Sequence, residues 1–208
     1  MIAFTDGACS RNGRADARAS YSAVIARLTV TDETLFSDRN AYTVATGLVI
    51  DRPYALIDDA APERGYAPQT EAPPLVASNN RGELLGLISA FWLLLQEPAV
   101  GAPAPAGAAP AAALPCEIIS DSRISVLTLD DWLPRRRAAG TAHELKNMDL
   151  LTIAESMLAR LRTRTTVRLV HVHSHKKAPP ASAPARERLL WRGNAIADAH
   201  ATALLEQK

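Results

Sequence analysis

IAFTDGAC, residues 2–9, begins the chain with a short apolar segment that runs into an acidic residue, Asp6, and a glycine, Gly7. Its β-forming residues predict a strand that ends at this pair, where glycine permits a turn. The segment CEIIS, residues 116–120, predicts a second buried strand, and a carboxylate, Asp121, follows it directly. If the two strands are neighbours in one sheet, the two carboxylates lie side by side. Each of the two carboxylates thus follows an apolar strand.

The other periodic segments predict helices that cover this sheet. Alternating β-forming residues at 21–30 and 42–50 indicate two antiparallel strands. Ser78 or Asn79 is suited to cap a helix that has apolar residues at helical spacing and stops before Pro98. Periodicity also predicts a helix at 122–132, a helix at about 146–162, a strand at 166–172 and a helix at about 190–206. This order indicates a mixed α/β fold.

Size and composition indicate one domain. The 208 residues, 48% hydrophobic and 22% charged, suffice for one core and are few for two. We expect irregular insertions at about 51–77, 98–115 and 178–188. No apolar run reaches the roughly 20 residues that cross a bilayer, and the N-terminus lacks the basic region of a secretory signal. We therefore expect a cytoplasmic protein without a membrane segment, in which Cys9 and Cys116 are reduced core thiols.

Four carboxylates in different settings carry the functional prediction: Asp6, Glu83, Asp121 and Asp198. Two follow predicted strands and two lie on predicted helices. Carboxylates that converge can hold a pair of divalent cations against a phosphodiester. A set that leaves further ligands to water and substrate suits Mg²⁺, with Mn²⁺ as the alternative, better than a closed zinc site. Each acid alone has an ordinary structural explanation, but together they predict a metal-dependent nuclease.

Basic residues are clustered although the net charge is only +1. Arginines recur at 135–137 and between 160 and 168, and further basic residues crowd the C-terminal third. Solvated helix faces explain many such runs. We favour a phosphate-contacting role for at least one cluster, because an acidic metal site needs positive surroundings to admit a polyanion.

Six motifs follow one another along the chain: FTDGAC (4–9), SNNRGEL (78–84), IISDS (118–122), LKNMDLL (145–151), VHVHSH (170–175) and GNAIAD (193–198). In this order they resemble the type 1 ribonuclease H family, whose members cut the RNA strand of RNA–DNA hybrids. The resemblance covers most of the chain outside the three insertions. It implies a five-stranded mixed sheet, with the first three strands antiparallel, flanked by helices. It also implies a monomeric endoribonuclease that uses two Mg²⁺ ions and leaves 5′-phosphate and 3′-hydroxyl ends.

The family's metal-binding acids match, position by position, Asp6, Glu83, Asp121 and Asp198. His175 matches a loop histidine that helps move protons and release product in the family, a role that suits an imidazole with a pKa near 6.5. His171 and His173 leave two alternatives open, which are a transition-metal site and simple packing on one face of the sheet.

The resemblance also implies substrate contacts by Asn12, Asn79, Asn80, Arg123, Trp132 and Asn194. The pair Asn79 and Asn80 matches residues that contact the minor groove, where 2′-hydroxyls distinguish RNA from DNA; a capping role for Asn79 is compatible with this. Arg123 stands where the family often has glutamine. Trp132 matches an aromatic residue that lies against the DNA strand, and a core tryptophan is the alternative. Asn194 lies one helical turn before the last acid.

Two departures from the family pattern affect the expected binding. The first turn, CSRNGRADARA (9–19), lacks most of the family's glycines, and the basic protrusion is reduced to residues 135–137. The short protrusion predicts weaker or more salt-sensitive binding of hybrid. Three alternatives stay open: a resolvase- or transposase-like enzyme with the same sheet, a non-catalytic protein that kept the fold, and the RNase H domain of a retroelement polyprotein.

Overall fold

The computed structural model describes residues 1–27, 36, 39–57, 65–101, 113–174 and 176–207. In chain order the strands and helices are β1 (Ile2–Ser10), β2 (Arg18–Ala26), β3 (Tyr42–Leu48), β4 (Tyr54–Leu56), β5 (Tyr66–Pro68), α1 (Asn79–Gln96), β6 (Cys116–Ser120), α2 (Arg123–Leu127), α3 (Leu133–Ala138), α4 (Met148–Arg162), β7 (Val167–His171) and α5 (Ala185–Glu206).

Five of the strands form one mixed sheet in the order β3-β2-β1-β6-β7. The pairs β1–β2 and β2–β3 are antiparallel, and β1–β6 and β6–β7 are parallel. The predicted five-stranded mixed sheet is thus confirmed. The predicted end of the first strand at Asp6 and Gly7 is wrong. The ladder with β2 continues through Asp6, opposite Ser22, as far as Ser10, opposite Arg18. The end predicted for β2, at residue 30, lies outside the described residues.

Helices cover both faces of this sheet. On one face α1 and α4 pack against Ala3 and Ile118, and on the other α5 packs against Phe4 and Ile119. Successive side chains of a strand point to opposite faces. Asp6 therefore shares the α5 face with Phe4, whereas Gly7 faces α1.

The structure changes three predicted boundaries. Residues 51–77, predicted to be irregular, contain the two-stranded sheet β4–β5, in which Tyr54 is buried. The last helix begins at Ala185 rather than near residue 190, directly after Pro184, because the fixed φ of proline suits a helix start. The insertion predicted at 178–188 therefore ends earlier. Of the insertion predicted at 98–115, residues 98–100 form a 3₁₀ turn, and residues 102–112 lie outside the described part.

The helix predicted at 122–132 continues to Ala138. A π-helical turn, Thr128–Trp132, joins α2 to α3, and Pro134 lies in the first turn of α3. The arginines at 135–137 lie beyond the predicted end of this helix, and the structure shows them to be helical.

Candidate active site

Three of the predicted acids meet at the carboxyl end of β6. Asp6, Glu83 and Asp121 each offer a carboxylate oxygen, and these oxygens lie within 4.8 Å of one another. The parallel pairing of β1 with β6, which places Thr5 opposite Ser120, brings the next residue of each strand to the same place. Glu83 reaches this place from the first turns of α1.

The fourth acid, Asp198, joins the same cavity from α5. The cavity has a volume of about 530 Å³, and all four acids line it. The charge of Asp198 helps to raise the pKa of Asp6. Two serines of β2 hold α5 against the sheet, since the hydroxyls of Ser20 and Ser22 donate to the carbonyls of Ala201 and Ala197, both at 2.6 Å. The second of these bonds fixes the backbone directly before Asp198.

Burial and mutual repulsion perturb the acids. Burial, followed by the charges of Asp121 and Asp198, raises the pKa of Asp6 to about 8. Burial, followed by the charges of Asp6 and Asp121, raises the pKa of Glu83 well above its usual value. Within the described part of the chain, Glu83 Oε2 and Asp121 Oδ1 are buried without a hydrogen-bond partner. Clustered carboxylates with unpartnered oxygens fit a hard divalent cation, which would supply the missing positive charge.

Two glycines allow α1 to lie close enough to place Glu83 in the cluster. A Cβ atom added to Gly82 would lie 2.5 Å from the carbonyl oxygen of Ser20, and one added to Gly7 would overlap the backbone nitrogen of Glu83. The helix therefore contacts the strand backbone directly, which we did not predict from the sequence. The feature that could have indicated this contact is the glycine at position 82, inside a segment that otherwise strongly favours a helix.

Arg81 anchors the same turn of α1 and was also missed. Its side chain is 2% exposed, and its two terminal nitrogens donate to Asp149 at 2.9 and 2.8 Å. Asp149 also accepts from the backbone N–H of Tyr54 at 3.0 Å. Although burial alone raises the pKa of Asp149, the hydrogen bonds from Arg81 and Tyr54 lower it overall. The pair ties α1 to α4 and to β4.

Three of the four asparagines predicted to contact substrate lie together: Asn79 and Asn80 begin α1, and Asn12 contacts Asn79 from the turn after β1. The side-chain amide of Asn79 donates to Glu83 Oε1 at 3.2 Å, and its backbone N–H donates to Asn12 Oδ1 at 3.3 Å. Asn80 is exposed and lines the acid cavity. Ser78, not Asn79, is the N-cap, since its hydroxyl accepts from the backbone N–H of Arg81 at 3.4 Å. Asn79 therefore does not cap the helix, and its side chain binds the carboxylate of Glu83 instead.

Arg123 is exposed and lines the acid cavity, next to Asp121 in sequence. Trp132 does not line that cavity. It is 39% exposed, so the alternative of a core tryptophan is wrong. Asn194 is buried and lines a second cavity together with Asp198.

His175 lies outside the described residues, and its role stays a prediction. His171 and His173 stack edge to face with ring centroids 4.9 Å apart. Burial and then the charge of His173 lower the pKa of His171. Among the described residues, the cluster of three or more side chains that could bind a metal consists of Asp6, Glu83 and Asp121, and it contains no histidine.

The predicted basic cluster is paired with acids. Arg135, Arg136 and Arg137 form ion pairs with Asp131, Glu144 and Glu155, at 2.6, 2.6 and 2.8 Å. These pairs are largely exposed, so each stabilises the fold by less than about 1 kcal/mol and can exchange partners. The cluster is thus less positive than its sequence indicates.

No helix in the described ranges is long and apolar enough to cross a membrane.

No protein-family model matches the chain, and no curated protein matches it. Among solved structures it is similar to a type 1 RNase H with the type 2 active-site motif, at 14% identity over 97% of this chain and 70% of that one, with a TM-score of 0.54. It is also similar to a foamy viral protease-reverse transcriptase in complex with dsDNA, at 15% identity, 97% and 90% coverage and a TM-score of 0.56. A third similar structure is the PFV RNase H domain in solution, at 17% identity, 97% and 92% coverage and a TM-score of 0.52. At these identities the likeness concerns architecture, and it shows that the chain has the ribonuclease H-like fold.

Proposed function

We propose that this protein is a metal-dependent endoribonuclease of the type 1 ribonuclease H family that hydrolyses the RNA strand of RNA–DNA hybrids. One observation carries the proposal: Asp6, Glu83 and Asp121 converge within 4.8 Å on a cavity that Asp198 also lines. The names of the similar structures, an RNase H and an RNase H domain among them, support the same activity. The expected products carry 5′-phosphate and 3′-hydroxyl ends.

The four acids would hold two Mg²⁺ ions, with Mn²⁺ as the alternative. Bound there, the cations would neutralise charge on the phosphodiester and activate water. The unpartnered oxygens of Glu83 and Asp121 are available as ligands. Because the pKa of Asp6 is raised to about 8, cation binding near neutral pH would displace a proton from this cluster.

The amides around α1 would position substrate and ligands. Asn79 already holds Glu83 Oε1, which fixes the direction of the carboxylate. Asn80, which lines the cavity, and Asn12, which contacts Asn79, would contact 2′-hydroxyls in the minor groove. Arg123 would contact a sugar or phosphate beside Asp121. His175 would move protons, as the resemblance implies.

The test is cleavage of a labelled RNA–DNA hybrid with and without Mg²⁺, beside matched double-stranded RNA and DNA. We expect cleavage of the hybrid alone. Asp121→Asn keeps the shape and removes the charge, so the rate should fall at least about 100-fold. The matched control is Asp51→Asn, since Asp51 is 71% exposed on a loop and pairs with Arg52. If Asp121→Asn cuts at the parental rate, the site is assigned wrongly; cutting of plain duplex DNA would favour the resolvase-like alternative.

A further inference from the structure

A second cavity adjoins the acid site. It has a volume of about 370 Å³ and lies between the segment after β7 and one face of α5. The residues of α5 that line it recur at helical spacing: Glu187, Leu190, Trp191, Asn194, Ala195 and Asp198. At 1.5 Å per residue this stripe is about 16 Å long. Asp198 and Ser174 line both cavities, so the stripe ends at the acid site.

One of the lining residues, Asn194, carries a buried acceptor without a partner. Asn194 is 8% exposed, and in the described part of the chain its Oδ1 has no hydrogen-bond partner. Leaving such an oxygen unsatisfied costs about 1–3 kcal/mol, so native proteins rarely do so without a ligand or water. A molecule that carries an N–H donor would satisfy it.

A hydrogen bond from α5 holds the wall of the cavity that the segment after β7 forms. The indole N–H of Trp191 donates to the carbonyl of Lys176 at 2.9 Å. This bond holds the segment after β7 at a set distance from the helix. The remaining wall is mainly apolar, with Val172 and Leu190 contributing to it. The cavity is thus bounded on two sides by defined contacts.

Charges at the rim are mixed. Lys176 and Lys177 line the cavity and are exposed. Glu187 stands at the far end of the stripe and Asp198 at the acid site. An anionic group therefore fits beside the lysines, between the two ends, while an apolar ring fits the interior.

We propose that this cavity binds one unpaired nucleotide. The base lies against the apolar wall and the ring of Trp191, with the N–H groups of its edge turned toward the side chain of Asn194. The phosphate lies beside Lys176 and Lys177. Aromatic rings and cations together are the usual means of holding single-stranded nucleic acid. The nucleotide comes either from free solution or from an unpaired end of the cut strand, and the second source rests on the proposed function.

Binding of adenosine 5′-monophosphate in chelator, without divalent cations, tests the cavity independently of cleavage. Calorimetric titration should show saturable binding, and ribose 5-phosphate, which lacks the base, should bind about tenfold more weakly or not at all. Lys177→Ala should weaken binding several-fold, whereas Lys146→Ala, an exposed lysine outside the cavity, should not. Asn194→Ala should cost roughly tenfold, the effect of one lost hydrogen bond. Because Asn194 is buried, the exposed Lys177 variant keeps the test valid if Asn194→Ala fails to fold.

Binding of hybrids to the Asp121→Asn variant distinguishes the two sources of the nucleotide, free solution and an unpaired strand end. A hybrid with one unpaired ribonucleotide at its end should bind more tightly than a fully paired one, and Lys177→Ala should remove the difference. Equal binding of the two hybrids beside tight binding of the mononucleotide supports the cavity with free nucleotide as its ligand. No saturable binding of the mononucleotide, or equal binding of ribose 5-phosphate, overturns the proposal. Either of these outcomes is compatible with cleavage of the hybrid, so the nucleotide-binding proposal can fail while the proposed nuclease activity stands.

Discussion

Gly82→Ala tests whether close contact between helix and strand builds the acid site. Helix propensity alone predicts that alanine stabilises α1 by about 1 kcal/mol. Packing predicts the opposite, because the new Cβ would lie 2.5 Å from the carbonyl oxygen of Ser20, about 0.9 Å short of the 3.4 Å at which ordinary contact begins. The obstacle is backbone, which cannot rotate away. Overpacking of this kind costs about 1–3 kcal/mol.

We therefore expect a net loss of up to about 2 kcal/mol, or a Tm lower by up to roughly 8 °C. A helix pushed outward also carries the carboxylate of Glu83 away from Asp6, so about tenfold more Mg²⁺ should be needed for half-maximal activity. Thermal unfolding and a Mg²⁺ titration measure the two effects. The exposed helical position Thr152, changed to alanine, reports propensity without packing. If Gly82→Ala raises the Tm and leaves the Mg²⁺ midpoint unchanged, the close contact does not build the site.

Three further predictions follow from the contacts around the site. Arg81→Met should destabilise by about 3–5 kcal/mol because it leaves the largely buried carboxylate of Asp149 without its ion-pair partner; denaturant unfolding measures this, and Arg81→Met combined with Asp149→Leu should recover part of the loss. Ser22→Ala removes the hydrogen bond beside Asp198 and should cost about 1 kcal/mol in the same assay while lowering activity. The raised pKa of Asp6 means that the metal-free folded state binds a proton more tightly than the unfolded state, so its stability should fall as pH rises from about 4 to about 8. Tm values in chelator at pH 5 and pH 8 measure that slope, and a flat profile, or one unchanged in Asp6→Asn, would contradict it.

Local pattern in the sequence was enough to predict a mixed sheet covered by helices, and the resemblance to the ribonuclease H family added the five strands and the convergence of the acids. Strand-forming segments before Asp6 and Asp121 and the capped helix before Glu83 each leave a signal within a few residues. The end of β1 was not predictable in this way. Gly7 suggested a turn. In the structure it lies within β1, where the absence of a side chain lets the backbone of α1 approach the strand. A glycine in sequence does not say whether conformation or space is the reason for it.

Long-range pairing could not be predicted from the sequence. The partners in Arg81–Asp149 are 68 residues apart, and nothing near either one indicates the other. The arginines at 135–137 look like a free basic patch in sequence, but Arg136 and Arg137 pair with Glu144 and Glu155 from later segments, and only the partner of Arg135 lies one helical turn away. The orphan acceptor on Asn194 likewise depends on what surrounds it in space. His175 lies outside the described residues, so its assignment continues to rest on the motif.

The acid site is held together by backbone packing rather than by attraction among its members. Like charges separated by less than 5 Å repel, and burial makes the repulsion stronger. The chain overcomes this through contacts that lie away from the acids, which are the direct approach at Gly82, the buried pair of Arg81 and the serine bonds to α5. Because these contacts fix the carboxylates without an ion, a cation that bound there would relieve the repulsion without reorganising the fold. The strain held among the carboxylates would then contribute to the affinity of the proposed site for the ion.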